Sequence, residues 1–113
     1  MNVNFIKNIN NNYNVQINQF SNPLNIKVTR YDNFDNEMID YGITIINKAF
    51  SIMNDYNQIA KYVCDSFGSK YPGKTKWNCI IIQDNTQFGF CISHLKAIEY
   101  SIDDKIITIF LAG

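Results

Sequence analysis

From Trp77 to Leu111 the chain reads WNCIIIQDNTQFGFCISHLKAIEYSIDDKIITIFL, and the punctuation of this stretch decides the fold. Trp77 to Ile82 is a short β-branched run of the length of a buried strand. Asp84 and Asn85 turn the chain, Phe88 to His94 reads as a second strand, and Ala97 to Ile102 reads as a third. Asp103 and Asp104 form a tight acidic turn into Lys105 to Leu111, where Ile107, Ile109 and Leu111 alternate onto one face. Four strands in succession predict an antiparallel meander.

Upstream of Pro72 and Gly73 the apolar period changes from two to three and four. Ile59, Tyr62, Val63 and Phe67 recur at helical spacing, and Gly68 fits the stop. Before the break at Asn54, Asp55 and Asn57, a longer series runs through Met38, Ile39, Ile43, Ile46, Phe50 and Met53. With Asp35 as N-cap, it predicts a helix from about Asn36 to Met53. Ile26 and Val28 read as a short strand that ends in a loop at Tyr31 and Asp32. One strand, two helices and four strands, with helices segregated from strands, make an α+β domain: two helices on an antiparallel sheet.

The 113 residues leave room for one core. Ten basic residues balance ten acidic ones, which removes the footprint of a nucleic-acid or anionic-membrane binder and points to a protein partner. Apolar residues make up 46% of the chain, enough for a core but marginal at this size, so oligomerisation is the expected support. Three cysteines without a Cys-x-x-Cys pair imply a reducing compartment, and one histidine, His94, is too little for a structural metal site. No cofactor is implied. No apolar run is long enough to span a membrane, and the Met-Asn-Val-Asn start lacks a basic export region, so a soluble cytoplasmic protein is expected. Ten of the first 25 residues are asparagine, a bias that ends at Ile26 and divides an extension, 1–25, from a domain, 26–113.

Two motifs suggest chemistry. Gly68-Ser-Lys-Tyr-Pro-Gly73-Lys74-Thr75 satisfies the P-loop letters, which would make a nucleotide-binding enzyme built on Gly73, Lys74 and Thr75. That chemistry needs the loop to leave a strand and open a helix, whereas this one leaves a helix and enters a strand. Cys91 and His94 invite a thiol and base reading, but three positions apart on a strand they would point to opposite faces.

A third pattern is more specific. Ile59-Ala-Lys-Tyr-Val63, Phe67, Lys70-Tyr71, Trp77, Cys79-Ile80, Phe88-Gly-Phe-Cys-Ile-Ser-His94 and Phe110-Leu-Ala-Gly113 resemble the dynein light chains of the eight-kilodalton type, in register from Ile26 to Gly113 apart from two extra residues before Trp77, about three more before Phe88 and a shorter stretch after His94. The resemblance implies a non-enzymatic homodimer, a light chain or adaptor of the microtubule motor in the cytoplasm. In it, the strand Phe88, Gly89, Phe90, Cys91, Ile92, Ser93, His94 of each subunit crosses to the partner's sheet. Each of the two resulting grooves takes a short extended segment, from a dynein intermediate chain or another protein, by β-augmentation. Tyr56, Asn57, Gln58, Glu99 and Ser101 are the implied groove residues, and Trp77 and Asn78 the implied dimer contacts.

The departures alter what can be carried over. Asn57 stands where the family has a lysine that helps hold the ligand's glutamine. Asn78 stands where the family usually has a histidine whose protonation loosens the dimer, so this dimer is expected to withstand mild acid. Cys91, Glu99 and Ser101 occupy places that tend to hold tyrosines, and Ala112 that of a regulatory serine. The resemblance implies fold and dimer, while ligand preference changes with the groove. Family ligands commonly centre on a glutamine between β-branched or threonine neighbours. Asn14-Val15-Gln16-Ile17-Asn18 has that shape within this chain.

Overall fold

Asp35 starts the first helix by accepting the Met38 amide on its side chain at 2.9 Å, which satisfies one of the donors every helix start leaves open. The computed structural model describes residues 24–83 and 91–113. Its elements are β1 (Ile26–Asp32), α1 (Asn36–Ile52), α2 (Tyr56–Lys70), β2 (Trp77–Gln83), β3 (His94–Ile102) and β4 (Lys105–Ala112). The extension before Pro23, with its Asn14–Asn18 motif, lies outside the described residues, as do Phe88, Gly89 and Phe90.

The α+β class holds, with both helices packed on one face of a four-stranded antiparallel sheet. The meander does not hold, because the strand order is β1-β3-β4-β2. The two-residue turn at Asp103 and Asp104, with Asp103 at φ 50, forces β3 and β4 to be neighbours. No short turn joins β2 to β3, and β4 takes the place between them. Nor do Cys91 to Ser93 form a strand; within the described part of the expected Phe88 to His94 strand, His94 alone belongs to the sheet. Both sides of β3 are taken by β1 and β4.

Cross-strand partners share a face, so the register sorts the side chains. Ile98, Tyr100 and Ile102 of β3 and Ile107 and Ile109 of β4 point to the helices and are fully buried. They meet Met38, Ile39, Ile43 and Ile46 from α1 and Ile59, Val63 and Phe67 from α2, the last three at i, i+4 spacing. Phe67 is the hub of an aromatic cluster, its ring 5.0 Å from Trp77, 5.1 Å from Tyr41 and 5.8 Å from Tyr71.

Gly42 on α1 lets the Tyr100 ring pass beneath the helix, where its hydroxyl donates to the Ile39 carbonyl at 2.9 Å. A Cβ at Gly42 would collide with that hydroxyl and lie 2.9 Å from the Tyr100 Cζ. Gly42→Ala therefore loses more by overpacking, about 1–3 kcal/mol, than the roughly 1 kcal/mol that alanine adds to an unstrained helix. Urea titration should show a net loss. An increase in stability would mean that Tyr100 can move aside.

Candidate functional site

β1 and β2 form the two open edges of the sheet among the described residues. β2 carries no charge from Trp77 to Gln83, whereas β1 ends in the exposed Arg30, Tyr31 and Asp32. An edge strand offers unpaired amides and carbonyls to another chain, and charged residues blunt that offer. β2 is the unguarded edge.

Tyr56, Asn57 and Gln58 sit at one end of it. Asp55 caps α2, accepting the Asn57 amide at 2.7 Å and the Gln58 amide at 3.4 Å, which leaves both amide side chains exposed in the first turn. Tyr56 donates its hydroxyl to Gln83 Oε1 at 2.7 Å, locking the start of α2 to the end of β2. Gln83 donates in turn to Asp104 at 3.4 Å. Hydrogen bonds from Lys105 and Gln83 hold the Asp104 carboxyl below its ordinary range.

The sheet face away from the helices has three rows: Asn78, Phe110, Ala97; Ile80, Thr108, Glu99; and Ile82, Ile106, Ser101. Ile80, Ile82, Ile106 and Phe110 make its β2–β4 half apolar, and all four are only partly buried. Its β1–β3 half is polar. Glu99 pairs with Arg30 at 3.1 Å and accepts the Thr29 hydroxyl at 2.8 Å. The implied groove residues thus fall in two places within one chain, because β3, which bears Glu99 and Ser101, is two strand spacings from β2, about 10 Å.

Cys91 and His94 line the same cavity, of about 310 Å³, with Arg30, Asp32 and Glu99. Cys91 is outside any strand, so the alternation that would oppose them does not apply. His94 Nε2 lies 3.0 Å from Asp32 Oδ2, and its buried Nδ1 has no hydrogen-bond partner among the described residues. Asp32 and Arg30 were absent from the sequence-predicted site. Their partners are remote in the chain, 62 residues away in the case of Asp32 and His94, and no local pattern marks them.

Trp77 is core rather than surface: 7% exposed, edge-on to Phe34 and donating Nε1 to the Tyr71 carbonyl at 3.1 Å. Asn78 beside it donates to the Lys76 carbonyl at 3.1 Å. Gly68, Gly73 and Thr75 line a cleft of about 510 Å³ with Tyr71 and Trp77, but the P-loop-like stretch begins within the last turn of α2 and leads into β2. A helix C-terminus presents carbonyls and partial negative charge, which repels phosphate. Among the described residues, no cluster of three or more His, Cys, Asp or Glu could hold a metal ion. No described helix is long and apolar enough to cross a membrane.

The three thiols should separate kinetically. Burial pushes Cys79 up strongly, and burial with the neighbouring Asp65 charge pushes Cys64 up, whereas Cys91 is exposed. Because the thiolate is the nucleophile, native-state alkylation followed by mass spectrometry should modify Cys91 first and Cys79 last. Early loss of Cys79 would place that strand in a looser setting.

No family model and no curated protein matches the chain. Solved structures do. The dynein light chain-like domain of the Fasciola hepatica calcium binding protein FhCaBP2 is 12% identical, with a TM-score of 0.60, covering 83% of this chain and 95% of that one. The DLC-like domain of CsTAL3, residues 83–177, is 9% identical, with a TM-score of 0.56, covering 75% of this chain and 90% of that one. The chain has the fold of a dynein light chain-like domain.

Proposed function

We propose that the chain is a non-enzymatic homodimeric light chain or adaptor of the eight-kilodalton dynein light chain type. Short extended segments of larger proteins, a dynein intermediate chain among them, add as strands in grooves at the dimer interface, in the cytoplasm at the microtubule motor. The observation that carries this reading is the uncharged open edge of β2, continuous with the apolar β2–β4 half of the outer face. The partner's Phe88 to His94 segment, which forms no strand over Cys91 to Ser93 in the single chain, becomes the strand that fills that edge in the dimer, and a second copy lying on the outer face unites Tyr56, Asn57 and Gln58 with Glu99 and Ser101 across the two subunits. The extension, 1–25, precedes the domain, 26–113, that does this.

Panning a random decapeptide display library against the full chain tests the reading. Extended peptides should be recovered, and their binding should be lost when Ile80 and Ile82 are made charged. Recovery of none would overturn it. Pull-down then separates a general adaptor, which returns many unrelated proteins, from a dedicated subunit, which returns one complex. Titration with magnesium ATP should be silent; micromolar binding that vanishes in Lys74→Ala would establish the nucleotide reading instead.

The dimer should also keep its mass from neutral pH to about pH 5, because Asn78 cannot titrate in the histidine range. The one histidine, His94, lies 3.0 Å from the Asp32 carboxylate, on the β1–β3 side of the sheet and away from Asn78. Half-mass particles in sedimentation at pH 5 would contradict this.

A further inference from the structure

The chain carries its own candidate ligand. Between Lys7 and Lys27 there is no charged residue, and Asn14-Val15-Gln16-Ile17-Asn18 alternates apolar with amide side chains. An uncharged edge accepts such a segment where a charged one resists it. Asn57 and Gln58, exposed at the Gln83 end of β2, offer matching amides.

The register fixes where the extension enters. Ile26 pairs with Ile102, Ile102 with Lys105, and Lys105 with Gln83, so the start of β1 and the end of β2 lie at the same end of the sheet. Leu24 is held there, its amide donating to the buried Asn47 side chain at 2.8 Å. From β1 to β2 is about 14 Å, and two further places, one for the partner's strand and one for a ligand beside it, make about 24 Å. Seven residues from Leu24 back to Ile17 span up to about 25 Å. A segment entering at the Gln83 end runs, from N to C, in the same direction as β2. It is therefore antiparallel to a strand that pairs antiparallel with β2, the arrangement of every other pair in the sheet.

We propose that Asn14–Asn18 occupies the groove beside β2 of its own dimer, as an internal strand that outside segments must displace. The proposal rests on the groove reading above. A short tether gives an effective concentration near 1 mM, so an intrinsic Kd of about 100 μM leaves roughly one groove in ten open.

The test uses the full chain and two full-length variants, Val15→Pro/Ile17→Pro and Asn14→Pro/Gln16→Pro. Alternate residues of a strand direct their amides to the same side, so one of the two variants removes the ladder donors whichever side faces the groove. Each protein is titrated with a fluorescein-labelled synthetic peptide of Asn11 to Phe20. At least one variant should bind this peptide tenfold or more tightly than the parent chain does, with an unchanged urea midpoint. Equal binding by all three, or binding by none, overturns the proposal. Library panning of the same variants separates the two failures. If other extended peptides are captured but this one is not, the groove stands without its internal ligand; if nothing is captured, the groove reading falls as well.

Discussion

Phe67→Ala is expected to lower the unfolding free energy by about 3–5 kcal/mol, because the ring is fully buried and the space it leaves is fenced by side chains that cannot close it. Phe34, Tyr41, Tyr71 and Trp77 all stand against it, with centroids 5.0 to 6.1 Å away. These neighbours come from α1, the link before it, the turn after α2 and the start of β2, so the cavity loosens the joint between the helices and the open β2 edge. The transition temperature of a domain this size should fall by at least about 12 °C, while Ser69→Ala, exposed on the same helix, should stay within about 0.5 kcal/mol of the parent. Calorimetry on both variants reads the difference. A loss below 1 kcal/mol for Phe67→Ala would mean that the aromatic cluster repacks freely.

Ile80→Lys with Ile82→Lys should leave the subunit folded and abolish its dimer. Both side chains point away from the helices and are partly exposed in the single chain, so the helical content and urea midpoint should barely move. In the proposed dimer the same positions are covered by the second copy. Burying unpaired ammonium groups there costs at least about 3 kcal/mol, a hundredfold or more in dissociation constant. Sedimentation equilibrium at micromolar concentration should show a monomer, and peptide binding should disappear with the dimer. A dimer of parental affinity would place the interface elsewhere.

Individual elements were more legible than their neighbours. The helix α1 was readable because Asp35 and the three- and four-residue recurrence of isoleucines are local signals, and each does in the structure what the pattern says. The start of α2 was not, since Tyr56, Asn57 and Gln58 belong to a turn whose exposed face bears no apolar residue, and Asp55 reads equally as a cap or a break. Three strands from Trp77 onward were readable, but the expected Phe88 to His94 strand fails over Cys91 to Ser93, and the strand order was not legible. Pairing of β2 with β4 is set by what α2 and Trp77 must bury, and no short turn announces it. The same distance effect hid Asp32 and Arg30, which join His94 and Glu99 only through the register of β1 on β3. The resemblance carried the fold through this gap, from a few scattered residues to an architecture shared at 9–12% identity.

The unequal edges of the sheet bear on how copies can multiply. If β1 were as bare as β2, the β1 of one copy could meet the β2 of the next, and that head-to-tail contact would repeat without limit into a fibre. Arg30 and Asp32 stand on β1, so that contact would bring charges against an uncharged strand. In the proposed dimer each copy's Phe88 to His94 segment fills the other's β2 edge, and that reciprocal exchange closes on itself, two-fold and finite. The charges on β1 therefore act as a stop on polymerisation as much as a solvated rim.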